Sequence, residues 1–409
     1  MRILVQKFGG SSVADRERML RVREKVLGGL KEGYKMLVVL SARSGDTNKL
    51  LALADEWSAT PDPAECDSLV STGEQVSIAL FTMLLKDKGV NARSLLGFQI
   101  PIITNDVFMK ARIKSIDSDT INKLFETHDV LVVAGFQGIT EDGRITTLGR
   151  GGSDTSAVAL AAAVKAERCD IYTDVDGVYT TDPNMCPHAR KLDRVTYEEM
   201  LEMASMGAKV LEIRSVEFAK KYNVVVHVRS TFTDTPGTLV AQEDSDMEHV
   251  LVSGIAYDKD QARITLRAVP DVPGVAYSVF APLADANIGV DMIVQNPSRE
   301  GVTDITFTVA RKDLKNTLAI MKEVQSKVGG VEVLNDVNIA KVSAIGVGMR
   351  NHSGVAAKAF EALHRENINI LLISTSEIKI SCLIEEKYLE LAVRILHEVF
   401  GLDQKAFEE

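Results

Sequence analysis

A chain of 409 residues exceeds the roughly 250–300 at which one hydrophobic core stops growing, so two or more domains are required. Its 45% hydrophobic and 25% charged residues exclude the disordered and fibrous classes. A formal net charge of −10, with no Lys/Arg cluster, argues against a nucleic-acid partner; a polyanion would have to be held by a few placed groups.

The N-terminus enters a strand-like segment, Ile3–Phe8, without a basic-then-apolar leader, and no run approaches the ~20 apolar residues needed to cross a bilayer. A cytoplasmic protein is therefore expected. Cys66, Cys169, Cys186 and Cys382 lie far apart with no C-x-x-C, which suggests reduced thiols rather than a disulfide framework or a zinc site.

From Met1 to about Gln242 short Val/Ile-rich runs alternate with helix-period segments. Ile3–Phe8, Met36–Leu40, Val130–Ala134, Cys169–Thr173 and Val224–Val228 read as strands, most of them without polar alternation. Such strands are covered on both faces, which predicts a mainly parallel sheet between helical layers, an α/β fold. The acidic stretch Ala241–His249 follows the turn-like Asp234–Gly237 and marks a boundary.

Beyond it the chain repeats. Pro273–Ala276 aligns with Ser353–Ala356, and at the same offset Phe280 matches Phe360, Leu283 matches Leu363, Asn287 matches Asn367 and Ile288 matches Ile368. Each copy reads as a strand (Arg263–Ala268; Lys341–Val347), a glycine turn, an amphipathic helix, alternating strands and a second helix, a βαββαβ-like α+β order. The expected domains are 1–245, 260–338 and 341–409. The repeats could serve ligand sensing or assembly alone.

Four segments carry chemistry. Lys7-Phe-Gly-Gly-Ser-Ser12 ends the first strand, where glycines let backbone N–H groups approach an anion and a lysine adds a point charge. A packing turn fits the same residues. Ser71-Thr-Gly-Glu-Gln75 precedes an apolar-periodic run, Val76, Ala79, Leu80, Met83 and Leu84, and puts Glu74 in a first helical turn, as a ligand or as a dipole partner. Leu148-Gly-Arg-Gly-Gly-Ser-Asp-Thr155 opens the small-residue helix Ser156–Val164. Its glycines around Arg150 suit an anion-binding nest, while Ser153 or Asp154 could be only the N-cap. Tyr172–Pro183 runs from a strand into a Gly/Pro turn rich in hydroxyls and carboxylates, where open α/β sheets bind ligands.

With Val38–Arg43 and Gly207–Leu211, these motifs resemble the aspartate kinases of the amino-acid kinase superfamily, and the repeats resemble ACT domains. The resemblance implies an αβα sandwich, ATP with Mg2+, and no metal held by protein groups alone. It implies that Lys7, Gly9, Gly10 and Ser11 hold the transferring phosphoryl group, and that Thr173, Asp174, Tyr179 and Lys209 hold the rest of the nucleotide. Asn184 stands where many relatives carry arginine, which puts a nucleotide contact there in doubt. Ser41, Thr47, Glu74, Arg150, Gly151, Ser153 and Asp154 would surround aspartate, with Lys7 and Asp154 as the catalytic pair.

The implied reaction suits the absence of a catalytic histidine, because a substrate carboxylate with a reference pKa of ~3.9 is already ionised. No G-x(4)-G-K-[ST] segment and no protein-kinase signature occurs. A kinase of another acidic amino acid and a non-catalytic amino-acid sensor are the rival readings. An effector, lysine or threonine or both, is expected between the turn holding Asp271, Gly274, Val275 and Ala276, with Gln295, and the Asn369–Ile370 strand of a second copy, in this chain or a partner subunit. Homo-oligomers through the repeats are expected, and an internal start at Met247 could supply a separate regulatory subunit.

Overall fold

The computed structural model describes residues 1–206, 210–243, 251–297, 301–328 and 332–404. The stretch around Met247 and residue Lys209 fall outside them. Contacts divide the chain into one unit of residues 1–179 with 191–248 and a second of 180–190 with 249–409.

The first unit runs β1 (Ile3–Phe8), α1 (Arg16–Lys31), β2 (Lys35–Leu40), α2 (Asp46–Trp57), α3 (Pro63–Val70), α4 (Thr72–Lys86), β3 (Ala92–Leu95), β4 (Ile102–Thr104), β5 (Ile113–Ile116), α5 (Ser118–Thr127) and β6 (Val130–Ala134). It continues with β7 (Gln137–Ile139), β8 (Ile145–Thr147), α6 (Gly152–Ala163), β9 (Arg168–Thr173), β10 (Arg194–Thr196), α7 (Tyr197–Ser205), α8 (Ile213–Tyr222), β11 (Val226–Ser230) and β12 (Thr238–Ala241).

Eight strands form one sheet in the order β10-β12-β11-β9-β1-β2-β6-β3, parallel except where β11 meets β12. Every residue of β1 and β6 is buried, as expected for strands covered on both faces. Lys7 lies between Val39 of β2 and Ile171 of β9, near the carboxyl end of a central strand. A small second sheet, β5-β4-β7-β8, ends at Thr147, just before the Arg150 loop.

Three local readings shift. The helix expected from Ser156 begins at Gly152, capped by Gly151 with φ 68°, so Ser153 and Asp154 sit in the first turn and neither is the N-cap. The strand expected at Val224–Val228 is Val226–Ser230, because left-handed Asn223 ends α8 and the Tyr197 hydroxyl donates to the Val224 carbonyl. On α4 the buried stripe is Glu74, Ile78, Phe81 and Leu85, while Val76, Leu80 and Met83 face outward. A helix apolar nearly all round does not reveal its inner face by periodicity alone.

No run of about 20 apolar residues occurs: the most apolar helical stretch among the described residues, Pro63–Lys86, is α3 followed by α4, carries Glu65, Asp67 and Glu74, and has half of its most apolar window buried inside the protein.

The second unit contains β13 (Gly254–Asp258), β14 (Ala262–Pro270), α9 (Val275–Asp285), β15 (Val290–Gln295), β16 (Val302–Val309), α10 (Leu314–Val328) and β17 (Glu332–Asp336). After these come β18 (Ile339–Ile345), α11 (Val355–Arg365), β19 (Leu372–Thr375), β20 (Lys379–Glu385) and α12 (Leu389–Val399). The first repeat builds the sheet β15-β16-β14-β17 in βαββαβ order. In the second repeat the sheet is β13-β18-β20-β19, so its last strand comes from before the first repeat. Met185 and Cys186 join this repeat's core, and Thr180 hydrogen-bonds buried His397 at 2.9 Å. Burial pushes the His397 pKa down.

The matching asparagines of the repeat share a backbone reason: Asn287 and Asn367 both have φ 55°, each just after its helix. Left-handed backbone costs an ordinary L-residue roughly 1 kcal/mol, which asparagine and glycine largely avoid. Asn367→Val should therefore lower the melting temperature, and Asn367→Gly should stay close to the parent, in paired thermal scans; equal losses would show that side-chain contacts matter instead.

Candidate active site

A cleft of about 200 Å³ opens where β1, β2 and β6 end, at the carboxyl edge of the parallel sheet. Lys7, Ser41, Thr47, Glu74, Arg150, Gly151, Ser153 and Asp154 all line it, together with Ala42, Phe136, Gly149 and Gly152. Five separate sequence segments thus meet in one place.

Lys7 comes from β1 and Asp154 from the first turn of α6. Their charged groups lie 2.6 Å apart, both largely shielded from water. Helix α6 can approach the sheet because it is built of small residues, buried from Gly152 through Ala161 apart from Asp154. A Cβ on Gly152 would lie 2.8 Å from the Phe136 ring. Phe136 itself has φ 68°, an uncommon conformation for a bulky residue.

Glu74 is 3% exposed. One carboxylate oxygen accepts from the Ala42 N–H at 2.8 Å, and the other is buried with no hydrogen-bond partner. Burial pushes its pKa up to about 7, against the lesser effect of the backbone hydrogen bonds. Glycines let Ala42 come so near: a Cβ on Gly73 or on Gly10 would lie 2.8 Å from Ala42 atoms. Arg150 is exposed and, among the described residues, has no ion pair or hydrogen bond from its guanidinium. The cleft therefore holds one close ion pair, a buried carboxylate with one oxygen unpartnered, and an exposed guanidinium with no close ion pair among the described residues.

The nucleotide candidates are arranged differently. Gly9, Gly10 and Ser11 follow β1, with a 3-10 turn starting at Gly10. Thr173 donates to Asp174 at 3.0 Å, and the Tyr179 hydroxyl donates to Asp176, which also takes Lys191. Asn184 lies in the second unit and folds back on Asp182. None of these lines the cleft. Sequence reasoning missed Phe136, which lines the cleft and carries no motif of its own.

Of the effector candidates, Gly274 caps α9 with φ 92°, and Val275 and Ala276 open that helix. The Asp271 N–H donates to the Gly301 carbonyl, and Gln295 ends the edge strand β15. Asn369 and Ile370 precede β19, the edge of the other sheet.

Residues 2–230 match the amino acid kinase family, and residues 264–328 and 342–400 each match an ACT domain family. An aspartokinase from Pseudomonas aeruginosa is 55% identical over 408 residues, covering 99% of both chains. The chain belongs to the aspartokinases. A member from Helicobacter pylori is 50% identical over 406 residues, covering 98% of this chain and all of its own. Among solved structures, E. coli aspartokinase III in complex with aspartate and ADP matches with a TM-score of 0.78 at 30% identity, over 97% of this chain and 99% of that one. The same enzyme in complex with lysine and aspartate matches with a TM-score of 0.77 at 31% identity, over the same shares.

In this aspartokinase the raised pKa of Glu74 has a stability consequence. The folded state holds the proton more tightly than the unfolded one, so the stabilising effect of protonation is complete below about 4.5 and is lost as pH rises through about 7. Glu74→Gln should therefore stabilise the ligand-free protein at pH 8, by a few kcal/mol at most, and the gain should shrink toward pH 5. Thermal scans at the two pH values check this; a gain independent of pH would mean Glu74 is not the titrating group.

Proposed function

We propose that the chain transfers the γ-phosphoryl group of ATP to the β-carboxylate of L-aspartate, giving 4-phospho-L-aspartate, the first step toward lysine, threonine and methionine. The observation that carries the substrate reading is the pairing, in one cleft, of buried Glu74, with an unpartnered oxygen, and exposed Arg150, whose guanidinium is attracted by Glu212 but makes no close ion pair or hydrogen bond among the described residues. A free amino acid presents the complementary charges: its α-ammonium suits Glu74, and its α-carboxylate suits the two-pronged guanidinium of Arg150. That leaves the β-carboxylate as the reacting end, with Ser41, Thr47, Gly151 and Ser153 around it.

The β-carboxylate needs no general base, so the task is positioning and charge stabilisation. Lys7 meets the negative charge on the transferring phosphoryl oxygens, Gly9, Gly10 and Ser11 offer backbone N–H groups, and Asp154 holds the Lys7 ammonium in place. Thr173, Asp174, Tyr179 and Lys209 take the remainder of the nucleotide. Mg2+ entering with the ATP phosphates would neutralise part of their charge.

The repeats take lysine, threonine or both at the Asp271–Ala276 turn, Gln295 and the Asn369–Ile370 segment, which was expected as a strand but leads into β19. Such a ligand inhibits only by binding the inactive arrangement better than the active one. Assembly through the repeats, a regulatory subunit started at Met247, and a cytoplasmic setting belong to the same reading. E. coli aspartokinase III has been captured with aspartate and ADP and with lysine, which supports the substrate pair and an amino-acid effector.

An assay with ATP, aspartate and hydroxylamine tests the activity directly; no acyl hydroxamate would remove the reading. Arg150→Lys should raise the aspartate KM by roughly 10–100-fold and leave the ATP KM near the parent value, since lysine keeps the charge and loses the fork. Lys7→Ala should lower kcat by about 100-fold or more and should also lower the melting temperature, because Asp154 is left mostly buried without its partner. Adding Asp154→Asn should recover melting temperature but not kcat; a kcat that returns together with stability would mark the lysine as structural. Because empty Glu74 titrates near 7, aspartate should bind more weakly as pH falls below that value and reach a plateau above it. A flat aspartate KM between pH 6 and 8 would separate Glu74 from the substrate ammonium.

A further inference from the structure

Arg150 sits in a loop with no regular structure of its own, yet a bidentate carboxylate contact tolerates little displacement. The three residues before it, Thr147, Leu148 and Gly149, are held by an unusual set of partners. The Thr147 carbonyl accepts from the Ala111 N–H, the Leu148 N–H donates to the Phe136 carbonyl, and the Gly149 carbonyl accepts from the Gly152 N–H. The other two anchors are charged side chains from distant helices.

One is Asp67, on the inner face of α3 and 0% exposed. Its Oδ2 accepts from the Thr147 N–H and from the Met109 N–H, each at 2.9 Å, and its Oδ1 accepts from the Thr147 hydroxyl at 2.5 Å. A buried carboxylate with only neutral donors is costly to keep, and burial does push its pKa up. The other is Arg214 on α8, which donates to the Leu148 carbonyl at 2.5 Å and to the Ala111 carbonyl at 3.0 Å. Asp67 and Arg214 thus grip consecutive residues, one by its N–H and the next by its carbonyl. Both also hold the 109–111 segment, against which Gly149 lies so closely that a Cβ there would be 3.0 Å from the Met109 carbonyl.

We infer that Asp67 and Arg214 are positioning residues for Arg150, fixing the entry to its loop so that the guanidinium reaches the substrate α-carboxylate; this rests on the aspartate-binding reading of Arg150. Neither residue lines the cleft, so each acts through the loop alone.

Steady-state kinetics on the full-length protein test this. Asp67→Asn keeps the shape but sets an amide against N–H donors, and Arg214→Lys keeps the charge but loses the fork. Each should raise the aspartate KM by about tenfold, with the ATP KM within about twofold of the parent. Combined with Arg150→Lys, either change should add little further loss, because its effect passes through that side chain. Thr147→Val removes only the hydroxyl bond to Asp67 and should move the aspartate KM in the same direction by a smaller factor, which keeps the test open if Asp67→Asn does not fold. Aspartate and ATP KM values that rise together, or losses that multiply in the double variants, would overturn the inference and leave Asp67 and Arg214 as general structural anchors. An aspartate KM unchanged by Arg150→Lys alone would overturn the substrate reading instead, and with it the target of the positioning.

Discussion

The contact between Lys7 and Asp154 is the constraint on which the rest of the first unit depends. Two opposite charges 2.6 Å apart and mostly out of water are tolerable only if the elements bearing them cannot drift. The central position of β1, between β2 and β9, fixes one partner, and the small-residue packing of α6 fixes the other. The same close approach brings Gly151 and Gly152 to the mouth of the cleft. A bulkier α6 would part the ion pair and move the Arg150 loop together.

Around that pair the cleft keeps a deliberate imbalance. Glu74 could have been satisfied by a second donor, as Asp67 is by three, but one of its oxygens is left bare in the interior. Its raised pKa is the energetic mark of that choice, a carboxylate stabilised less than the fold could have stabilised it. Arg150, on the exposed side, is near Glu212 but closes no ion pair with it. Groups held unsatisfied in the empty protein gain most when a ligand of matching charge arrives, the usual reason for function to sit at poorly stabilised positions.

Much of this was legible in the sequence, for identifiable reasons. Lys7, Glu74 and Arg150 sit beside glycines that the backbone needs for close approach, so chemistry and geometry leave their marks on adjacent letters. The buried runs of β1, β2 and β6 gave the parallel sheet away because strands covered twice cannot alternate. The inner face of α4 was not legible: Val76, Leu80 and Met83 are as apolar as Ile78, Phe81 and Leu85, and what turns the second set inward is the packing of Ile78, Phe81 and Leu85 in the core and the close approach of Gly73 to Ala42. Asp67 and Arg214 were invisible for a different reason. Each is a single charged residue in an ordinary helix, and what makes it matter is a backbone group 80 or 66 positions away. Lone long-range side-chain anchors have no local pattern to read.

In the second unit the repeats separate what a fold requires from what a ligand requires. Gly274 and Gly354 cap their helices at φ 92° and 101°, and Asn287 and Asn367 leave them at the same φ, so the backbone devices match. The residues near the turns do not: Asp271 and Gln295 in one copy align with Asn351 and Thr375 in the other. Even the strands are unequal, since β13 closes the second sheet from a point earlier in the chain than the first. The divergence is not limited to the turns, since Tyr277, Pro282 and Asp285 of the first copy stand opposite Ala357, Ala362 and Arg365 of the second in the same alignment. What the two copies share is the set of backbone devices that start and end the helix, and a repeat of this kind keeps its fold by those devices while the side chains set on the frame are free to change.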